Sequence, residues 1–280
     1  MSIRFITDST TDLSPAIAGR VKVIPMAVHF GDETYLDGVD ITIEQFYEKL
    51  TTSSVMPTTS QVAPATFADA FREAVEAGDE VVCLTISSTL SGTCQSANIA
   101  AAEFPGKVFV VDSRTVIMAA GILVEYGFRL AEQGLSAEQI AQALTQQRDR
   151  VKIVAVADTL EYLKRGGRIS PTVAFAGGLL NIKPIICVTD GEIKLLNKAR
   201  GAKQINAMLE KGVEHFGGID YTMPIMFGYT GTDDELLRRF MEEDAALWAQ
   251  YRGERTVSII GSTVGTHVGP GAAAIAFFAK

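Results

Sequence analysis

Short apolar runs alternate with helical periodicity over the first half of this chain, and that alternation restricts the fold more than any other feature. The clearest run is Glu80–Ile86, almost continuously apolar and lacking the polar alternation of a half-solvated sheet. It predicts a strand of the buried parallel type. Ile3–Thr7 and Lys107–Val111 read as strands too, and Val21–Phe30 as a further extended segment. Between them, Pro64–Ala77 places Phe67, Ala70, Phe71, Ala74 and Val75 on one helical face. Ile43–Leu50, Gln95–Ala102, Val116–Glu132 and Ser136–Arg150 also read as helices. Strands alternating with helices predict an α/β fold whose parallel sheet is wrapped by helices. In such a sheet ligands bind beyond the carboxyl ends of the strands. Three polar loops fall there: Asp8–Asp12, Ser87–Thr93 and Asp112–Arg114.

The second half differs. Lys152–Ala157, Ile182–Asp190, Pro224–Tyr229 and Thr256–Ile260 read as strands, and Lys203–His215 and Asp233–Tyr251 as helices. Leu179 and Leu180 end a helix-like stretch. The expected division is 1–150, a parallel-sheet α/β domain, and 151–280, an α/β domain with a mixed sheet. Phe30–Tyr35 reads as a turn region. Thr51–Gln61, dense in hydroxyls and carrying Pro57, reads as a loop.

Composition narrows the function. A net charge of -8 argues against nucleic acid or a polybasic membrane surface as partner. Cys83, Cys94 and Cys187 are odd in number and lack metal-ligand spacing, as in a reduced cytoplasmic chain. The start has no signal-peptide pattern. The longest uncharged apolar stretch, Val116–Val124, falls short of the roughly 18 residues of a membrane span.

Several segments can carry chemistry. Ser87–Thr93 joins a strand to a helix, so it can bind an anion at the helix N-terminus or simply cap it. No nucleotide-phosphate loop motif occurs. Lys164-Arg165-Gly166-Gly167-Arg168 sets three cations beside two glycines that allow close approach by a ligand. Arg168 can fork onto a carboxylate or phosphate, or the segment can be a solvated basic turn. Gly265–Gly271 embeds His267 in a glycine-rich loop, where it can donate to an anion or move a proton. A Ser91–His267–Asp8 hydrolase relay can be drawn, but Ser91 sits in no G-x-S-x-G elbow. No cofactor or metal set is expected.

Six segments, in order, resemble the signatures of the DegV family. They are Thr7–Leu13, Pro57–Gln61, Leu90–Ala97, Thr159–Ile169, Leu180–Ile185 and Gly265–Gly271. The resemblance spans about residues 3–279. Val62 stands where the family usually has proline, and Cys94 where an aromatic is common. The resemblance implies a bacterial two-domain α/β lipid binder. It would hold a long-chain fatty acid between its domains, with the tail in an apolar tunnel. It also implies presentation of that acid to a separate ATP-binding fatty acid kinase subunit, the acyl phosphate feeding phospholipid synthesis. The chain itself would then be no enzyme, and membrane contact would be transient. By motif, Thr59 and Ser91, with Ser60 and Thr93 beside them, would meet the carboxylate. Arg168 and His267 would handle the phosphoryl group or dock the kinase. Candidate tunnel walls are Thr115–Val124, Val173–Leu180 and Ala272–Phe278. The competing expectation is a stand-alone acyl hydrolase or transferase using Ser91 and His267.

Overall fold

The structure, a computed structural model, describes residues 2–170 and 182–280. The strands are β1 (Ile3–Asp8), β2 (Val21–Ile24), β3 (Ala27–Phe30), β4 (Glu33–Leu36), β5 (Thr58–Ser60), β6 (Glu80–Thr85), β7 (Val108–Asp112), β8 (Val151–Val156), β9 (Lys183–Thr189), β10 (Glu192–Ala199), β11 (Met226–Tyr229), β12 (Thr256–Ile259) and β13 (Ala273–Phe278). The helices before β8 are α1 (Pro15–Ala18), α2 (Ile43–Thr52), α3 (Pro64–Glu76), α4 (Thr93–Ala101), α5 (Ile117–Glu132) and α6 (Ala137–Gln147). Those after it are α7 (Glu161–Arg165), α8 (Ala202–His215), α9 (Glu235–Glu243), α10 (Ala245–Trp248) and α11 (Ser262–Val268).

The strand–helix alternation produces the expected parallel sheet, ordered β2-β1-β6-β7. Val81 to Leu84 are fully buried, as their uninterrupted apolar character demands. The second half forms a six-stranded mixed sheet, β10-β9-β8-β13-β11-β12. Helix α5 packs between the two sheets and is buried from Ile117 to Val124. One apolar core therefore runs from Phe5 and Val82 to Ile153 and Ala276. The other face of the mixed sheet, with Val154, Ile275 and Phe277, packs under α8 and α9.

The extended segment Val21–Phe30 is two strands in different sheets. Pro25 has no N–H to donate, and the Met26 N–H goes to Ser9 Oγ at 3.0 Å, so the ladder with β1 stops there. Beyond the break β3 pairs antiparallel with β4 and β5 in a three-stranded sheet. Two loop expectations are thereby corrected. The turn region includes β4, and the hydroxyl-rich Thr51–Gln61 contains β5, whose exposed edge suits threonine and serine.

His267 requires a further correction: it lies in a helix, α11, not in a glycine loop. A Cβ on Gly265 would come within 2.7 Å of Phe46 and Tyr47, so this glycine admits α2 rather than making a turn. The predicted Asp233–Tyr251 helix is broken at Asp244, which leaves Trp248 free to pack edge-on against Phe227 and Phe240. Asp190 and Gly191, with φ of 56° and 80°, form a tight β9–β10 hairpin turn. The stretch ending at Leu179 and Leu180, and the wall segment Val173–Leu180, lie outside the described residues.

Candidate functional site

A cavity of about 390 Å³ opens at the carboxyl ends of β1 and β6, between the parallel and mixed sheets. That volume lies in the roughly 300–1,000 Å³ range of small-molecule sites. The apolar part of its wall follows from strand alternation. On β13, Ala273, Ile275 and Phe277 point away under the helices, while Ala274 points into the cavity. On β8, Val154 and Val156 point away and Ile153 and Ala155 face in. Ala155 and Ala274 are paired across the two strands, so two small side chains meet where larger ones would fill the space. Val116 and Ile117 supply the opposite wall, and Ile186 and Val188 extend the first. The walls expected at Thr115–Val124 and Ala272–Phe278 thus reach the cavity at Val116, Ile117, Ala272 and Ala274. The contributions of β8, β9 and, beside His267, of Thr263, Val264 and Val268 on α11 carry no signal in the sequence that separates them from ordinary core.

The polar end gathers Thr59, Ser91, Arg168 and His267. Thr59 Oγ1 lies 2.8 Å from His267 Nε2, joining β5 to α11. Ser91 Oγ lies 2.9 Å from Thr93 Oγ1 and accepts the Thr93 N–H at 3.2 Å. Arg168 donates to the carbonyl oxygens of Leu90 and Gly166, at 3.3 and 2.5 Å. Thr93 is fully buried behind Ser91 and does not line the cavity. Its hydroxyl accepts the Val62 N–H at 3.4 Å, a contact that proline at this position would lack. Ser60 borders the cavity, yet its hydroxyl bonds His29 Nε2 at 3.0 Å on the exposed side of the small sheet.

The loops at the strand ends are mostly engaged in structure. Asp8 accepts the N–H groups of Ile86, at 2.8 Å, and Thr10, at 3.0 Å, and so ties the loop after β1 to the end of β6. Burial nevertheless pushes its carboxyl above the usual range. Ser87 and Thr89 both donate to the Gly191 carbonyl and Ser88 to Asp112, while Arg114 pairs with Asp149 and Asp190. The contacts to Asp190 and Gly191 dock the β9–β10 turn. The imagined hydrolase relay is not assembled: Asp8 serves backbone N–H groups, His267 bonds Thr59, and Ser91 bonds Thr93.

His267 is the most informative group. Its Nδ1 is buried with no hydrogen-bond partner among the described residues. A proton there would leave an unsatisfied donor, at a cost of roughly 1–3 kcal/mol. In the tautomer protonated on Nε2 the imidazole donates to Thr59, and the Thr59 hydroxyl proton is then available to an acceptor in the cavity. Burial first, and the Arg168 charge second, lower the His267 pKa to about 4 from its ordinary 6.5. Gly166 makes this packing possible. A Cβ there would lie 2.2 Å from His267 Nδ1, so the glycine expected to admit a ligand instead admits an imidazole.

The titration of His267 has a measurable consequence. Between pH 6.5 and 4 the unfolded chain binds a proton at this residue and the folded chain does not. Stability therefore falls as pH drops through that window, by up to about 3 kcal/mol. Chemical denaturation at stepped pH is expected to show this loss in the wild type. In His267→Gln the loss shrinks by that amount.

Residues 2–280 match a family model described as an uncharacterised protein of the DegV family. A DegV domain-containing protein of Deinococcus radiodurans is 38% identical over 99% of this chain and 98% of its own. A Thermus thermophilus structure described as fatty acid binding of a DegV family protein superposes with a TM-score of 0.88. It is 34% identical and covers 100% of both chains. A stearic acid-binding protein from Eubacterium ventriosum has a TM-score of 0.85 and 30% identity, covering 100% of this chain and 99% of that one. The pattern of motifs, the paired sheets and these full-length likenesses agree, and the chain belongs to the DegV family.

Proposed function

We propose that this protein binds one long-chain fatty acid, tail in the apolar cavity and carboxylate at the Thr59–Ser91 end. The observation that carries the reading is the two-ended character of one cavity: hydroxyls, Arg168 and His267 at one end, aliphatic side chains over the rest. Relatives of the same length and fold that bind fatty acids support it. Each buried methylene contributes about 0.8 kcal/mol, so the tail supplies affinity and the head needs only orientation. With His267 Nε2 donating to it, the Thr59 hydroxyl would keep its own proton for an ionised carboxylate, which only accepts. The cavity would lie at the junction of the 1–150 and 151–280 units.

We further propose that the bound acid is presented to a separate ATP-binding subunit for phosphorylation. The chain carries no nucleotide-phosphate loop motif, and Arg168 and His267, which line the polar end of the cavity, would stabilise charge on an acyl phosphate. A cytoplasmic setting with transient membrane contact fits this role. Among the described residues no helix is long and apolar enough to cross a membrane.

Calorimetric titration with palmitate tests the binding reading. Thr59→Val is expected to weaken palmitate roughly tenfold or more, the value of a hydrogen bond to a charged group. Unchanged affinity in Thr59→Val would remove the carboxylate from this end of the cavity. In the presence of the ATP-binding subunit, Arg168→Ala and His267→Ala are expected to lose acyl phosphate formation more than binding. Equal loss of both would refute that division of roles.

A further inference from the structure

Asp37 follows β4 and is only 6% exposed, yet it does not itself line the cavity. Its carboxylate accepts the N–H groups of Ser262 and Thr263, each at 3.1 Å, and the hydroxyls of Thr263 at 2.7 Å and Ser9 at 3.1 Å. The two N–H groups belong to the first turn of α11, where no intrahelical partner exists and an anion meets the positive end of the helix. The residue at the N-cap position, Gly261, has no side chain to do this. Asp37 reaches the helix from the opposite half of the chain.

The origin of that carboxylate is what gives it a further role. Asp37 is carried by β4 and Thr59 by β5, and both strands pair with β3, through Leu36–Ala27 and Thr59–Val28. A closed ring results: Thr59, β5, β3, β4, Asp37, α11, His267 and back to Thr59 across 2.8 Å. The small sheet thus presents one member of the polar pair and grips the helix bearing the other. The backbone agrees. The Asp37 N–H donates to the Met26 carbonyl at 2.9 Å, and Ser9 Oγ takes the Met26 N–H at 3.0 Å. Met26 and Thr263, both bound through this node, line the cavity.

We propose that Asp37 is the positioning residue of the polar end, holding His267 opposite Thr59 so that the pair meets a carboxylate; the role rests on the fatty acid reading above. An ordinary helix cap would lower stability when removed and leave the ligand and His267 otherwise as they were. Positioning predicts more.

The test uses Asp37→Asn, with Asp79→Asn as a control. Asp79 is a mostly buried carboxylate paired with Arg4, outside the cavity. Palmitate affinity is measured by calorimetry and His267 titration by NMR of the labelled imidazole. In Asp37→Asn, palmitate is expected to bind about tenfold more weakly. The His267 pKa is expected to climb from about 4 toward 6.5, because a loosened α11 rehydrates the ring. Asp79→Asn is expected to move neither. Wild-type palmitate affinity together with unshifted His267 titration in Asp37→Asn would overturn the proposal. Should Asp37→Asn not fold, Thr263→Ala removes the shortest contact, and because Thr263 also lines the cavity the His267 titration is its deciding readout. It is expected to shift both readouts in the same direction, and an unshifted His267 titration would overturn the proposal equally. A wild-type protein that takes no palmitate would refute the fatty acid reading, while the His267 titration would still decide the role of Asp37.

Discussion

Ala274→Leu is expected to weaken palmitate about a hundredfold while leaving the protein folded. Ala274 is buried, faces the cavity and lies opposite Ala155 on the neighbouring strand. An isobutyl group there occupies the room of about three methylenes. At about 0.8 kcal/mol each, that is roughly 2–3 kcal/mol, or near a hundredfold in affinity. In the unliganded protein the same side chain enters space that is already lined by apolar atoms, so it forces little of the overpacking strain seen in filled cores. The thermal midpoint is therefore expected to hold or rise. A shorter acid, with fewer methylenes to lodge, is expected to lose less. Competition assays with palmitate and octanoate, beside a thermal melt, check all three expectations. A palmitate affinity equal to wild type would mean the tail does not pass Ala274.

The second large effect is expected from Gly166→Ala. The backbone at Gly166 is right-handed, φ -70° and ψ -10°, so alanine meets no conformational penalty. Its methyl, however, would fall 2.2 Å from His267 Nδ1 and 3.2 Å from the Tyr162 carbonyl. The imidazole is the softer neighbour and must move away, which draws Nε2 from Thr59. Palmitate affinity is expected to drop tenfold or more with little loss of stability, and the His267 pKa to rise. Calorimetry and imidazole NMR read both. An unchanged His267 titration would mean the ring has another position that still serves the site.

Much of this was legible in the residues. The uninterrupted apolar run at Glu80–Ile86 announced a two-sided parallel strand, and the chain places it inside the parallel sheet. Ile182–Asp190 reads as a strand, and β9 forms there at Lys183–Thr189. What failed did so for identifiable reasons. Thr58–Ser60 is a strand because β3 offers it an edge, and three hydroxyl residues carry no periodicity that would reveal a partner so distant in sequence. Gly265 suggests a loop by its glycine-rich neighbours, whereas it is helical and small because Phe46 and Tyr47 lie against it. In sequence the hydroxyls of Ser87–Thr89 form one run with those of Ser91 and Thr93. They divide because the β9–β10 turn captures the first group. Thr59, Ser91, Arg168 and His267, drawn from four separate motifs, converge on one cavity end, and only the fold could display that. The role of Asp37 was illegible for a similar reason: its partners, Ser262 and Thr263, lie at the other end of the chain.

Solvent extraction of the freshly purified protein, followed by mass spectrometry of the extract, tests the central claim most directly. The account predicts a long-chain fatty acid in near-equimolar amount, depleted in Ala274→Leu purified alongside. A consistently empty protein that also takes up no added palmitate would contradict it.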